Sequence, residues 1–162
     1  NLKNNLINTK PEKHKLQLKI KMIETSYNKK LPILYSFRRC PFAIRARVAI
    51  YFSEIKVEIR EIMLVNKPKE MTSISRKGTV PVLLHNEDVI DESFDIMVWA
   101  LNLNDKKNIL HPYNENKEYV KSLIKIFDVD YKFHLDRYKY ANRYVNEKEY
   151  LGKLTHRDKA LK

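Results

Sequence analysis

The hydrophobic pattern changes at about residue 31, where short apolar runs begin to alternate with stripes at helical spacing. Residues 32–37 form an apolar run that is typical of a buried strand. Pro41 suits the first position of a helix, where its missing N–H costs nothing, and this helix extends to about Glu54. The apolar stripe of the helix recurs at spacings of three and four residues: Ile44, Val48, Tyr51 or Phe52, and Ile55.

A second strand and a polar helical connection are predicted next. Residues 57–64 alternate between apolar and polar positions, with Ile59 and Met63 on the apolar side, which indicates a strand. Residues 66–75 are polar, and Pro68 is placed to open a short helix there.

A proline-containing strand and a hairpin follow. Residues 78–84 form an apolar run in which Pro81 must lie at a strand start, an edge or a special turn, often with a cis bond, because proline cannot donate to a sheet. Residues 85–88 provide a turn that returns the chain through residues 89–90. An amphipathic helix is predicted after Ser93, with acids in its first turn.

The predicted order is β-α-β-α-β-β-α, the order of a thioredoxin-like fold, so the fold class of residues 31–103 is α/β. Residues 104–162 are predicted to be all-α. A long amphipathic helix is expected from Asn114 to about Tyr140, and another from Glu147 to Leu161. The stripe of the long helix contains Val120, Ile124, Phe127, Tyr131, Leu135 and Tyr138.

Composition excludes several classes of protein. The chain of 162 residues has one cysteine and two glycines, which excludes an internal disulfide and a glycine-rich phosphate loop or dinucleotide fingerprint. No apolar run approaches the roughly 20 residues that span a bilayer, and the first residues lack a signal-peptide pattern. We therefore expect a cytoplasmic protein without a membrane partner.

Residues 1–21 contain six lysines and one acid, so they carry +5 of the net charge of +12. We interpret residues 1–30 as a disordered leader and hypothesise that the true start is Met22, the first methionine. The remaining charge is spread along the sequence. A nucleic acid is not favoured as a partner, because such sites cluster Lys and Arg with interleaved aromatics.

Cys40 is the candidate nucleophile. It stands at the N-cap position before Pro41, where the unpaired N–H groups and the dipole of a helix favour thiolate over thiol. Arg38 and Arg39 add positive charge that tunes the thiol in the same direction. The alternative is that Cys40 is a small buried hydrophobe. Ala43 occupies the second position of a Cys-x-x-Cys motif, so a mixed disulfide on Cys40 needs an external thiol to resolve it.

Three segments in this order resemble the N-terminal domain of glutathione S-transferases: residues 35–43 with Cys40, residues 79–83, and the pair Glu92-Ser93. The resemblance is greatest to the cysteine-type branch, with its omega-like and bacterial members. Residues 132–140 resemble the first long helix of that family's helical domain. Because that domain contains several more helices, we expect the 162 residues to be a fragment that ends in a truncated all-α domain.

The resemblance implies a set of residues that bind glutathione. Val80 with Pro81 matches the backbone position that pairs with the cysteinyl unit, and Glu92 and Ser93 match the acid and serine that hold the γ-glutamyl group. Lys67 matches a lysine of omega-type members that reaches the peptide. The alternatives are an ordinary capping arrangement for the Glu92-Ser93 pair and a solvated surface lysine for Lys67.

The resemblance also implies an activity. Glutathione is the expected cosubstrate, with no other cofactor, and the second substrate is a small electrophilic or glutathionylated molecule. We expect Cys40 to carry out thiol transfer or deglutathionylation. Conjugation is less favoured, because a cysteine tends to form the disulfide. A homodimer is implied for the full-length protein.

The alternative function is a non-catalytic adaptor with the transferase fold, similar to the stringent starvation proteins that bind RNA polymerase. The combination of Cys40, Val80-Pro81 and Glu92-Ser93 argues against it, since an adaptor does not need a glutathione site.

Three further polar residues are given no binding role. Arg45 and Arg47 are interpreted as helix surface charges or as charges beside the cysteine. His134 lies on the edge of an apolar stripe and is expected to be a hydrogen-bonding residue at the rim of the core. No metal site is expected, because no second His or Cys stands at ligand spacing.

Overall fold

The computed structural model describes residues 30–162, and these fall into two compact units that divide between Asn104 and Asp105. The leader predicted over residues 1–30 lies outside the described residues except for Lys30. Across the described part of the chain, every helix is too short or too polar to cross a membrane.

The described part of the first unit contains a four-stranded sheet and three helices. Its strands are β1 (Ile33–Ser36), β2 (Glu58–Glu61), β3 (Val82–His85) and β4 (Asp88–Ile90). Its helices are α1 (Pro41–Phe52), α2 (Lys69–Ile74) and α3 (Ser93–Leu103). The strand order is β2-β1-β3-β4, with β1 parallel to β2 and antiparallel to β3. The thioredoxin-like α/β fold predicted from the sequence is confirmed.

The alternation of side chains along β1 divides the core into two clusters, one on each face of the sheet. Leu34 belongs to the first cluster and its neighbour Tyr35 to the second. The first cluster joins β1 and β3 to α1 and α3: Leu34, Ala46, Ile50, Leu83, Ile96 and Ala100. The second cluster involves α2 and the segment before β3: Tyr35, Ile62, Met71, Val80 and Val82.

The face of α1 that packs on the core differs from the predicted apolar stripe. Ile44, Val48 and Tyr51 are exposed, with 42%, 47% and 77% of their surface accessible. The buried face carries mainly alanines: Ala43, Ala46 and Ala49, with Ile50. Small side chains let α1 approach the sheet and α3 closely. The buried face is therefore the one that permits this close approach, and not the one with the largest apolar side chains.

The second strand is shorter than predicted, and its burial pattern differs. β2 covers four residues, all exposed, because it forms an edge of the sheet. Ile59 is 52% exposed and Met63 is 63% exposed, whereas Ile62 is buried. The apolar residue that enters the core therefore follows the strand rather than belonging to its alternating pattern.

The second unit is helical in its described residues. Its α-helices are α4 (His111–Glu115), α5 (Lys117–Lys125), α6 (Lys132–Lys139) and α7 (Lys153–Ala160). A π-helical segment, Ile126–Tyr131, joins α5 to α6, and a 3-10 turn, Ala141–Arg143, follows α6.

The two helices predicted for this unit differ from those observed. The long helix begins at Lys117, since Asn116 caps it by accepting a hydrogen bond from the Tyr119 N–H at 3.0 Å. The π-helical segment interrupts its regular spacing. Phe127 of the predicted stripe is 60% exposed. The last helix begins at Lys153 rather than Glu147.

Candidate functional site

Cys40 stands at the N-cap of α1, directly before Pro41. Its backbone N–H donates to the Phe37 carbonyl at 3.0 Å, which closes a tight turn after β1, and its own carbonyl accepts from the Ile44 N–H at 2.9 Å. The thiol is part-buried and free of any disulfide. The chain therefore turns sharply out of the sheet and presents a sulfur at the N-terminus of a 12-residue helix.

The thiol faces the segment that leads into β3. The Cys40 Sγ–H donates to the Val80 carbonyl oxygen at 3.6 Å. The peptide bond between Val80 and Pro81 is cis, and β3 starts at the next residue, Val82. Cys40, Val80 and Pro81 are thus brought together from two separate parts of the sequence.

The two arginines before Cys40 are exposed. The backbone N–H of Arg38 donates to the Glu61 carboxylate at 2.7 Å. The guanidinium of Arg39 lies over the Phe37 ring, 5.5 Å from its centroid. Among the described residues, the one side-chain hydrogen bond of the Cys40 thiol is the bond to Val80. Tuning of the thiol by these arginines stays a prediction.

Arg47 supports the turn that carries Cys40. Its guanidinium donates to the hydroxyl of Ser36, to the Phe37 carbonyl at 3.5 Å and to the Arg38 carbonyl at 3.0 Å. Ser36 is fully buried at the end of β1. Arg47 therefore bonds three consecutive residues before the cysteine, a role that its position on a helix surface did not reveal in the sequence.

The start of α3 forms the second part of the candidate site. Glu92 is the N-cap residue of α3, but its side chain makes no capping hydrogen bond. The structure therefore does not support the alternative that the Glu92 side chain serves as a helix cap. Ser93 is buried, with 3% of its surface accessible, and its Oγ accepts a hydrogen bond from Arg45 Nε at 2.9 Å.

The carboxylate of Glu92 is paired with Lys77 at 2.5 Å, and both side chains are exposed. Lys77 also lies 3.3 Å from Asp91, whose other oxygen accepts from the buried Ser75 hydroxyl at 2.9 Å. The hydrogen bond to Glu92 is the main cause that raises the pKa of Lys77, with Asp91 contributing less. An ammonium group that approached Glu92 would meet a cation already bound there.

Lys67 reaches the loop that precedes the cis-proline. Its Nζ lies 3.8 Å from the position that a Cβ would take on Gly78. Gly78 has a φ of +58°, a conformation that a residue with a side chain rarely adopts. Lys67 is exposed, so its ammonium stands at the rim of the loop between α2 and Pro81.

The second unit contains a histidine pair that the sequence did not reveal. His134 Nδ1 and His156 Nδ1 lie 2.8 Å apart, although 22 residues separate them in the chain. His156 is completely buried and stacks on Tyr150 at 5.4 Å between ring centroids. The prediction that His134 forms a hydrogen bond is confirmed. Within residues 30–162, no group of three or more His, Cys, Asp or Glu could hold a metal ion.

A part-buried thiol at a helix start, beside a cis-proline at a strand start, defines a thioredoxin-like domain with a single-cysteine site. Residues 34–108 match the family model described as "Glutathione S-transferase, N-terminal domain". This part of the chain is therefore similar to the N-terminal domain of that family.

Known proteins are similar to the chain in sequence or in fold. The chain is 38% identical over 56 residues to a "Probable glutathione transferase" of Aplysia californica, covering 35% of this chain and 61% of that relative. Glutathione transferase Omega 3C from Trametes versicolor has a similar fold, with a TM-score of 0.65, 17% identity, and coverage of 87% of this chain and 62% of that one.

A glutathione transferase homolog from Sulfitobacter, solved with bound glutathione, also shares the fold. Its TM-score is 0.57 at 12% identity, with coverage of 81% of this chain and 62% of that one. The present chain thus spans about three fifths of the length of the relatives it matches.

Proposed function

We propose that this chain binds glutathione in its first unit and uses Cys40 as a nucleophile for glutathione-dependent thiol transfer. The observation that carries the proposal is the position of Cys40, part-buried at the N-cap of α1 with its sulfur 3.6 Å from the carbonyl before a cis-proline. Support comes from the match of residues 34–108 to the family model.

The reaction proceeds through two exchanges at sulfur. The Cys40 thiolate attacks the glutathione sulfur of a mixed disulfide, forms a Cys40–glutathione disulfide and expels the substrate thiolate, which takes up a proton. A second glutathione thiolate then attacks the glutathione sulfur on Cys40. This step releases oxidised glutathione and regenerates the Cys40 thiolate, so one disulfide is consumed and one is formed.

The lack of a resolving cysteine favours this route over dithiol chemistry. Cys40 is the chain's one cysteine, and Ala43 stands buried where a second active-site thiol would be. Release of the mixed disulfide therefore depends on an external thiol. When ionised, the sulfur also gives up its hydrogen bond to Val80, which leaves that carbonyl available to the backbone of an incoming peptide.

The peptide is held by the residues that surround the thiol. Val80 pairs through its backbone with the cysteinyl unit, as proposed from the resemblance. Ser93 provides a hydroxyl and the unpaired N–H of a helix start for the γ-glutamyl carboxylate, while Glu92 pairs with its ammonium. Lys67 reaches the peptide from the rim of the loop before Pro81.

The test is mass spectrometry of the intact protein after exposure to oxidised glutathione, followed by reduced glutathione. We expect the wild-type chain to gain one glutathione and to lose it again with fresh thiol, whereas Cys40→Ser gains none. Circular dichroism of both proteins establishes that they are folded. A folded wild-type protein that forms no adduct would overturn the proposal.

A further inference from the structure

A hydrogen bond links α1 to the first residue of α3. Arg45 Nε donates to Ser93 Oγ at 2.9 Å, and the Arg45 guanidinium also lies 5.1 Å from the centre of the Phe42 ring. Arg45 is five residues after Cys40, on the same helix. The sequence pattern had given this arginine no binding role.

The bond fixes which way the Ser93 hydroxyl can act. A serine hydroxyl has one hydrogen to donate and lone pairs that accept, whereas a guanidinium only donates. The Ser93 oxygen is therefore the acceptor, and its own hydrogen must point elsewhere. Only 3% of the Ser93 surface is accessible. Among residues 30–162, the bond to Arg45 is nevertheless the one hydrogen bond that this hydroxyl makes.

We propose that Arg45 is a positioning residue that holds the Ser93 hydroxyl as a donor toward the carboxylate of the γ-glutamyl group. This inference rests on the proposed glutathione site. A carboxylate only accepts hydrogen bonds, so it suits both the hydroxyl hydrogen and the free N–H of the helix start. The positive charge of Arg45, which bonds the same hydroxyl, strengthens the preference for an anion.

An orienting role and a purely structural role of Arg45 predict different effects on the binding of different ligands. If Arg45 merely ties α1 to α3, its loss weakens every ligand of the site to the same extent. If it orients the Ser93 hydroxyl, the loss is confined to ligands that carry the γ-glutamyl carboxylate.

The experiment compares two unreactive ligands by isothermal titration calorimetry. One is S-methylglutathione, and the other is the same compound with its γ-glutamyl carboxylate converted to an amide. Binding is measured for wild type and for Arg45→Gln and Ser93→Ala, with Arg157→Gln of the second unit as a control for loss of a surface arginine. Thermal unfolding shows that each variant is folded.

We expect Arg45→Gln to weaken S-methylglutathione binding about fivefold to tenfold, because the hydrogen bond from Ser93 to the carboxylate is weakened but not deleted, and to leave the weaker binding of the amide nearly unchanged. Adding Arg45→Gln to Ser93→Ala should then have little further effect. Equal losses for both ligands, or no loss for either, would overturn the role of Arg45. A wild-type protein that binds neither ligand would instead overturn the glutathione site itself.

Discussion

The Nδ1 atoms of His134 and His156 lie 2.8 Å apart, and the backbone N–H of Leu151 donates to Nε2 of His156 at 3.0 Å. Because His156 Nε2 accepts, a neutral His156 carries its proton on Nδ1 and donates to Nδ1 of His134. Both rings must therefore be neutral. A second proton on either ring would place two donors face to face.

The second unit is accordingly expected to lose stability in mild acid. Burial is the main cause that lowers the pKa of both His134 and His156 below the usual 6.5. For His156 the neighbouring His134 lowers the pKa next, and the positive charges of Lys159 and Arg137 lower the pKa of both rings further. Two weaker influences raise these pKa values, Asp130 for His134 and the Glu149 backbone for His156. A lowered pKa means that the folded state prefers the neutral rings, so the stabilisation is present above pH 6.5 and declines as the pH falls below it.

The measurement is hydrogen exchange of α6 and α7 at a series of pH values, corrected for the intrinsic pH dependence of exchange. His134→Asn keeps an acceptor for His156 but does not titrate, so we expect it to show a smaller loss of protection below pH 6.5. The exposed His111, paired with Glu115 on α4, supplies the control variant His111→Asn. Equal acid sensitivity of wild type and His134→Asn would contradict the coupling.

Arg47 is expected to stabilise the turn before Cys40. In Arg47→Met the fully buried Ser36 hydroxyl and the Arg38 carbonyl lose this donor, while the Phe37 carbonyl keeps the Cys40 N–H, so we expect the unfolding free energy to fall by about 1–3 kcal/mol. Urea unfolding followed through the fluorescence of Trp99, which packs against the first core cluster, measures this.

A double-mutant cycle separates the stabilisation from the bond between Arg47 and the buried Ser36 hydroxyl from that of the bonds to the carbonyls. Ser36→Ala removes the group that Arg47→Met leaves unsatisfied, so the double variant should be less destabilised than the sum of the two single variants. Additive losses would show that the bond between these two side chains contributes little.

Because the buried face of α1 consists mainly of alanines, we expect enlarging a buried alanine to destabilise the protein more than truncating an exposed isoleucine does. Ala46→Leu inserts a larger side chain into the first core cluster and should cost about 1–3 kcal/mol of unfolding free energy. Ile44→Ala removes a larger side chain from an exposed position and should change stability by about 0.5 kcal/mol or less. Chemical denaturation of both variants tests this, and a larger loss from Ile44→Ala would favour the stripe predicted from the sequence.

Lys77 is expected to compete with a ligand ammonium for Glu92. Because both partners are exposed, the effect is small, and Lys77→Met should tighten S-methylglutathione binding by about twofold. The exposed Lys56, replaced in Lys56→Met, controls for the loss of one positive charge. If Lys77→Met weakens binding, Lys77 itself contacts the ligand.

The sequence predicts the order of elements in the first unit because its signals are local. Pro41 marks a helix start, Pro68 another, and Pro81 marks a strand start, since the lack of an N–H restricts each to few positions. The candidate residues Cys40, Val80 and Pro81 do meet in the structure. Their proximity follows from the pairing of β1 with β3, which the predicted fold already implies.

What the sequence does not predict depends on partners far along the chain. Arg45 and Arg47 cannot be distinguished by their positions in the sequence. In the structure Arg47 bonds the turn before the cysteine, whereas Arg45 bonds Ser93, 48 residues away. The buried face of α1 is likewise chosen by how closely another helix approaches it. The histidine pair needs the return of α7 onto α6, which no local pattern specifies.

The sheet has two edges, and both are unsuited to pairing with another molecule. At one edge, every residue of β2 is exposed, and three of the four are charged, with Glu58 paired to Arg60 at 2.7 Å. At the other edge, β4 has three residues and begins with Asp88. Charged and very short edge strands hinder edge-to-edge aggregation, so the sheet resists intermolecular strand addition even though the adjoining helix α1 exposes apolar side chains.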